Sequence, residues 1–146
     1  MEDVLIRRLR EEDADDIIKI ETAISSVPDN IDLKRIIEEQ VGRKGDASYV
    51  AEHQGKVIGY MISYVASGNF GLDKSAWISV LGVSPRYMGR GIGKKLAETI
   101  FDHYSQQGIT NVYTSVRWDS TDLLSFFKTL GFDRSNFINL RKVLES

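Results

Sequence analysis

The sequence predicts a mixed α/β domain, an α+β arrangement around one mixed sheet, with its elements in the order β-α-α-β-β-β-α-β-α-β. Three observations carry that prediction. Apolar residues recur at period two in some stretches and at three-and-four spacing in others, which separates strands from helices. A strand, a glycine-rich loop, a helix and a further strand follow one another, which demands a parallel crossover. The chain has 146 residues, 42% hydrophobic and 27% charged, the size and balance of a single domain over residues 1–146 with its own core.

Val4 to Leu9 reads as the first strand. The acids Glu11, Glu12, Asp13, Asp15 and Asp16 follow, and negative charge is favourable at a helix N-terminus, so a helix starts there. Its stripe is Ala14, Ile17, Ile18, Ile20 and Ile24, interrupted by the Ser25-Ser26-Val27-Pro28 loop. Asp32 can cap a second helix carrying Leu33, Ile36, Ile37, Gln40 and Val41, with Gly42 placed to end it. Ala47 to Glu52 and Val57 to Val65 are β-rich runs joined by His53-Gln54-Gly55-Lys56, a hairpin composition, so they pair antiparallel. After the glycine-containing stretch Ser67 to Lys74, Trp77 to Val83 is a fourth strand. Ile92, Leu96, Ala97, Ile100, Phe101 and Tyr104 make a helical stripe stopped by Gly108. Asn111 to Val116 resumes a strand, and the crossover leaves room for a cleft between it and Trp77 to Val83. Asp119 or Ser120 caps a last helix with Leu123, Leu124, Phe127 and Leu130 inside and Gly131 at its end, and Phe137 to Leu144 gives a sixth strand.

Composition removes whole classes of chemistry. The chain has no cysteine, hence no disulfide, thiolate metal site or cysteine nucleophile, and its two histidines, His53 and His103, lie far apart and read as surface residues. No metal is expected. No apolar run reaches the ~18 residues needed to span a bilayer, and the start lacks a signal-peptide pattern, so a cytoplasmic protein with no membrane partner is expected. Residues 1–46 carry thirteen acids against eight Lys or Arg, whereas Arg86 to Lys95 carries four bases and no acid. A compact basic segment in a chain of net charge -2 suits a phosphate-bearing small ligand and not a long nucleic acid.

That segment is Arg86-Tyr87-Met88-Gly89-Arg90-Gly91-Ile92-Gly93-Lys94-Lys95. A turn from strand to helix points several N–H groups outward, and the helix dipole adds positive potential in the same direction. Glycines at 89, 91 and 93 leave the backbone open to a pyrophosphate, and Arg86, Arg90, Lys94 and Lys95 add charge. A Walker loop fails, because Met88 stands where its first glycine belongs and Lys95 where its hydroxyl belongs. A dinucleotide fingerprint fails on glycine spacing and on position after three other strands.

The segment resembles motif A of the GCN5-related N-acetyltransferases (GNAT), written Gln or Arg, x, x, Gly, x, Gly or Ala, which Arg86 to Gly91 matches throughout. The resemblance extends over Leu81-Gly82-Val83-Ser84-Pro85, over Ile92 to Leu96, and over Phe126 to Phe132, which is similar to the family's second signature. It implies a GNAT-like acyl-CoA N-acyltransferase fold and acetyl-coenzyme A as acetyl donor. The pyrophosphate would rest on Arg86, Tyr87, Met88, Gly89, Arg90, Gly91, Ile92, Gly93 and Lys94. Leu81 and Val83 would offer main-chain groups to the pantetheine arm.

The chain departs from that pattern where the chemistry is done. Many family members carry a strand glutamate that acts as base through water, and the matching position is Trp77; no acid occurs from Ala76 to Val83. The second-signature tyrosine is Phe127, and the asparagine that bonds pantetheine is Ser120. No catalytic base or acid carries over. Asp73 at the strand entrance and Tyr113 on the adjacent strand are the candidates that remain, beside the readings of an exposed loop acid and a half-buried tyrosine. Glu21 and Asp29 fall where the resemblance puts the acceptor side. The expected function is acetyl transfer to a primary amine of a small molecule or of a peptide or protein N-terminus; the alternative is a coenzyme A binding or sensing module without catalysis. The sixth strand would offer an edge for a homodimer.

Overall fold

The structure, a computed structural model, describes residues 3–24 and 32–145. Alternation sets the strands: β1 (Val4–Arg8), β2 (Tyr49–His53), β3 (Lys56–Ser67), β4 (Lys74–Val83) and β5 (Val112–Thr114). Helical spacing sets α1 (Ala14–Ile24), α2 (Leu33–Val41), α3 (Ile92–Gln106) and α4 (Thr121–Thr129). The expected 25–28 loop and Asp29 lie outside the described residues.

The strands form one sheet in the order β1-β2-β3-β4-β5, antiparallel throughout except for the parallel β4–β5 pair that α3 connects. Gln54 (φ 52) and Gly55 (φ 78) make the β2–β3 turn, the two left-handed residues that a tight primed hairpin needs. One face of the sheet is covered by α1 and α2 through Ile17, Ile20, Leu33 and Ile37, packed with Val50, Tyr60 and Ile62. The other face meets α3. There Gly59 lets the sheet approach the helix: a Cβ on it would stand 3.0 Å from Ile92 Cγ2.

Local signals behaved as physical chemistry dictates at several ends. Asp13 accepts from Arg10 N–H at 2.8 Å and binds Arg7 through two bonds, at 2.8 and 2.9 Å, so the acidic cluster opens with a 3-10 turn before α1. Asp32 accepts from Arg35 N–H as the α2 cap. Gly108 (φ 80) and Gly131 (φ 91) follow α3 and α4 in the left-handed region, the usual helix stop. Gly42 ends α2 with φ -77, so its freedom is not used. Ser120 is the α4 N-cap but its side chain makes no capping bond, and Asp119 is held instead by Arg117 at 2.9 and 3.0 Å.

The strand expected over Phe137 to Leu144 has no ladder among the described residues of its own unit, Val116–Ser146. The chain divides into two units, Met1–Ser115 with the whole sheet and Val116–Ser146 with α4. No helix among the described residues is long and apolar enough to cross a membrane.

Candidate functional site

The feature that makes a site possible is a bulge in β4. Ile62 pairs with Val80 and Ser63 with Ile78, so Ser79 is the extra residue, and an inserted residue reverses which edge the following peptides face. Ala76 donates to Asn111 O at 3.2 Å on the β5 side. Past the bulge, Ser84 donates to Ile58 O at 2.8 Å on the β3 side. Antiparallel ladders alternate bonded and open pairs, so Val80 and Gly82 also turn their peptide groups to β3, and Leu81 and Val83 turn theirs to the opposite edge. On that edge β5 pairs only through Ala76–Val112, Trp77–Tyr113 and Ile78–Thr114. Beyond Ile78 β5 no longer pairs with β4, and this wedge at the end of the parallel ladder presents the N–H and C=O groups of Leu81 and Val83 on its β4 side.

The wedge opens toward the glycine loop. Pro85–Tyr87 makes a 3-10 turn, then Gly89 and Gly91 both sit at φ 78 with open space where a Cβ would project. Gly91 is the N-cap of α3 and no side chain caps it; the first intrahelical bond runs from Lys95 N–H to Gly91 O at 3.1 Å. The N–H groups of Ile92, Gly93 and Lys94 thus have no helical acceptor, and α3 has no acid in its first turn. Arg90 stacks over the Tyr87 ring at 5.5 Å, and His53 at the end of β2 meets Tyr87 edge-on at 5.7 Å. Sequence gave His53 no partner; the hairpin supplies one and so ties the loop to the sheet. Lys94 lies 3.9 Å from Glu98, and both are solvated, which screens the pair. An uncapped N-terminus bordered by Arg and Lys can hold a pyrophosphate, and the glycines leave it room to reach the backbone.

At the closed end of the wedge Trp77 and Tyr113 stack with centroids 4.7 Å apart and planes 23° apart, and Phe70 tilts toward Trp77 at 5.8 Å and 54°. The indole N–H donates to Ser75 Oγ at 2.7 Å, which fixes the ring in its plane. Trp77 also pairs with Tyr64 across β3, and alternation from Tyr60 and Ile62 puts these rings on the sheet face that α1 covers. Of the two candidate bases, Tyr113 is thus beside the wedge. Asp73 is exposed at the entrance of β4, five strand residues or about 16 Å from Ile78.

On the same face Tyr60, fully buried, donates from its hydroxyl to Glu21 Oε2 at 2.7 Å. Gly82 makes room for this contact: a Cβ there would lie 2.9 Å from Tyr60 Cε1 and 3.1 Å from its hydroxyl. Glu21, read from sequence as an acceptor-side carboxylate, is half-buried next to the β4 wall. Ser120 and Phe127 belong to the second unit, where Phe127 is buried with ring contacts to Phe126 at 5.2 Å and Phe132 at 5.0 Å. His103 is half-buried on α3 beside Tyr49 and Gln107. Sequence reasoning missed Ser79, Tyr60 and Phe70. A glycine inside a strand, Gly82, was the one signal of a close approach there.

The profile of the acetyltransferase (GNAT) family matches residues 14–132. A mycothiol acetyltransferase of Renibacterium salmoninarum is 25% identical over 70% of this chain and 30% of its own length, and one of Amycolatopsis mediterranei is 29% identical over 61% and 31%. The chain therefore spans less than a third of the length of these curated relatives. Solved structures share the fold. An aminoglycoside N-acetyltransferase in complex with CoA superposes with TM-score 0.78 at 16% identity, covering 96% of this chain and 94% of that one. A ribosomal-protein-alanine N-acetyltransferase from Brucella melitensis biovar Abortus gives 0.75 at 15%, covering 97% and 99%.

Proposed function

Because the chain belongs to the acetyltransferase (GNAT) family, we propose that it binds acetyl-coenzyme A and transfers the acetyl group directly to a primary amine, of a small molecule or of a peptide or protein N-terminus. The observation that carries this reading is the uncapped N-terminus of α3 behind Gly89 and Gly91, at the end of the same β4 strand whose Leu81 and Val83 turn their peptide groups away from β3. The pyrophosphate rests on Gly89 to Lys94 with Arg86 and Arg90 beside it, and the pantetheine arm bonds Leu81 and Val83 as a strand would. The cosubstrate supplies an activated thioester carbonyl. The acceptor nitrogen bonds to that carbonyl carbon, the carbon–sulfur bond breaks, the amine proton passes to water, and the thiolate takes a proton from solvent.

With no carboxylate in β4 from Ala76 to Val83, the proton leaves through water, which favours amines of low basicity. An α-amino group titrates at about 7.7 to 8.0 and a lysine at about 10.4. Glu21 adds negative potential that attracts the ammonium form toward the wedge. The curated relatives are mycothiol acetyltransferases by name and several structural neighbours aminoglycoside acetyltransferases, so small aminated molecules lead the acceptor list. We place the reaction in the cytoplasm, with no metal, membrane or nucleic acid taking part.

The test pairs acetyl-coenzyme A titration by calorimetry with thiol release across amines, aminoglycosides and N-terminal peptides. Binding with amine-dependent thiol release is expected. Binding with silence across the panel makes the chain a coenzyme A binding module, and absence of binding overturns the site.

A further inference from the structure

Ile17, Glu21 and Ile24 stand at positions i, i+4 and i+7 of α1, so a carboxylate occupies the stripe where apolar residues belong. α1 lies against β3, β4 and the Pro85–Tyr87 turn that leads into the glycine loop, and a charge on that side costs free energy unless a partner compensates it. Tyr60 compensates in part: fully buried in β3, it donates from its hydroxyl to Glu21 Oε2 at 2.7 Å. The register sets Tyr60 opposite Gly82, and glycine alone leaves the ring room, because a Cβ there would stand 2.9 Å from Cε1 and 3.1 Å from the hydroxyl. Those contacts in series bring the carboxylate alongside Gly82, between Leu81 and Val83, the two residues whose peptide groups face the wedge.

A neutral phenol does not cancel a negative charge. Among the described residues no Lys, Arg or His pairs with Glu21 and no donor reaches its Oε1, while the side chain is half-buried and keeps contact with solvent. The buried acids of the same unit do have cations, Asp13 with Arg7 and Asp46 with Arg43. A buried tyrosine needs only an acceptor, which a glutamine or a carbonyl would supply as well, so Tyr60 accounts for a polar residue at 21 and not for its charge. By fixing one oxygen, the phenol holds the other in place, which lowers the ordering cost of a charge-assisted hydrogen bond to a ligand. Resting on the acetyl-transfer reading above, we propose that Glu21 Oε1 receives an ammonium group of the acceptor by direct hydrogen bonding, with Tyr60 as its positioning residue. Glu21 is then a specificity device: it selects a cationic amine over a neutral molecule of the same shape, which would leave the carboxylate without a counter-charge.

The chain, saturated with coenzyme A and at constant ionic strength, is titrated with cyclohexylammonium and with its uncharged counterpart cyclohexanol, and saturation transfer to the ring protons reads binding. Saturable binding of the cation is expected, with the alcohol about tenfold weaker. Glu21→Gln, whose amide oxygen can still accept from Tyr60, should weaken the cation about tenfold and leave the alcohol unchanged. Tyr60→Phe should weaken the cation about two- to fivefold, and if that buried substitution fails to fold, Glu21→Gln carries the test alone. Equal binding of the two probes, no binding, or indifference to Glu21→Gln would overturn the assignment. Acetyl-coenzyme A affinity is measured on the same samples: its loss in the unsubstituted chain refutes the acetyl-transfer reading, and its retention beside a negative probe result refutes the role of Glu21 alone. For any amine that is acetylated, both substitutions should raise the KM of the amine by similar factors and move kcat less.

Discussion

Replacing Gly91 by glutamate should abolish most acetyl-coenzyme A binding while sparing the fold, and the structure gives both halves of that expectation. The residue sits at φ 78, ψ 12, where a side chain costs about 1–2 kcal/mol. No atom lies within 4 Å of the added Cβ, so no packing penalty joins the strain. A carboxylate at the N-cap of α3 recovers about 0.3–1 kcal/mol from the helix dipole. Net destabilisation is then at most about 1.7 kcal/mol, which for a chain of this length lowers Tm by no more than about 7 °C. Binding suffers more. A negative charge about 5 Å from a pyrophosphate charge, in an effective dielectric near 20, costs about 3 kcal/mol, or a factor of roughly 100 in Kd. Gly91→Ala carries the strain without the charge and should lose roughly 100-fold less affinity. Calorimetric titration and a thermal melt on both variants decide the matter. A Kd within threefold of the unsubstituted chain, with the melt preserved, would refute the loop as the pyrophosphate site; a melt lowered by far more than 7 °C would show that Gly91 serves the fold.

Other outcomes follow from the same geometry. Gly82→Ala drives a methyl to 2.9 Å from the buried Tyr60 ring and 3.1 Å from Ile24 Cδ1, so it should cost about 1–3 kcal/mol in urea unfolding; a neutral effect would mean the β4 wall yields. Tyr104→Phe removes the hydroxyl that accepts from Ala47 N–H at 2.9 Å and bonds Ser63 Oγ at 2.6 Å, with an expected loss of about 1–3 kcal/mol from the stranded N–H. Burial raises the Tyr104 phenol above its usual value. The folded chain thus keeps a proton that the unfolded chain releases from about pH 10, and stability falls as pH rises through and beyond that value. Tyr104→Phe should flatten this alkaline limb, as unfolding curves between pH 8 and 11 would show. Acetyl-coenzyme A affinity should weaken several-fold between about 0.05 and 0.3 M salt, because the Arg and Lys of the loop are solvated; salt-independent binding would remove charge from the account.

Helix ends and the hairpin were legible because their causes are local. Asp32 caps α2 three residues upstream of its donor, and Gln54-Gly55 turns β2 into β3 with no help from elsewhere. The strand at Asn111 was expected to run to Val116 and pairs only from Val112 to Thr114, since its length depends on how far β4 stays parallel to it. Gly42 looked like a helix stop and ends α2 in an ordinary conformation, so residue type marked the place and not the geometry. Tyr113 could be placed beside the cleft from topology, but its stack on Trp77 could not, because ring orientation is set by packing across strands 36 residues apart in sequence.

The sequence by itself determined the glycine loop, its basic charge, the helix that follows and the family they belong to, all products of short-range spacing and composition. Tertiary structure decided the rest. The Ser79 bulge re-aims Leu81 and Val83 only because β3 holds the register on its other side. Trp77 and Tyr113 meet only because β4 and β5 pair.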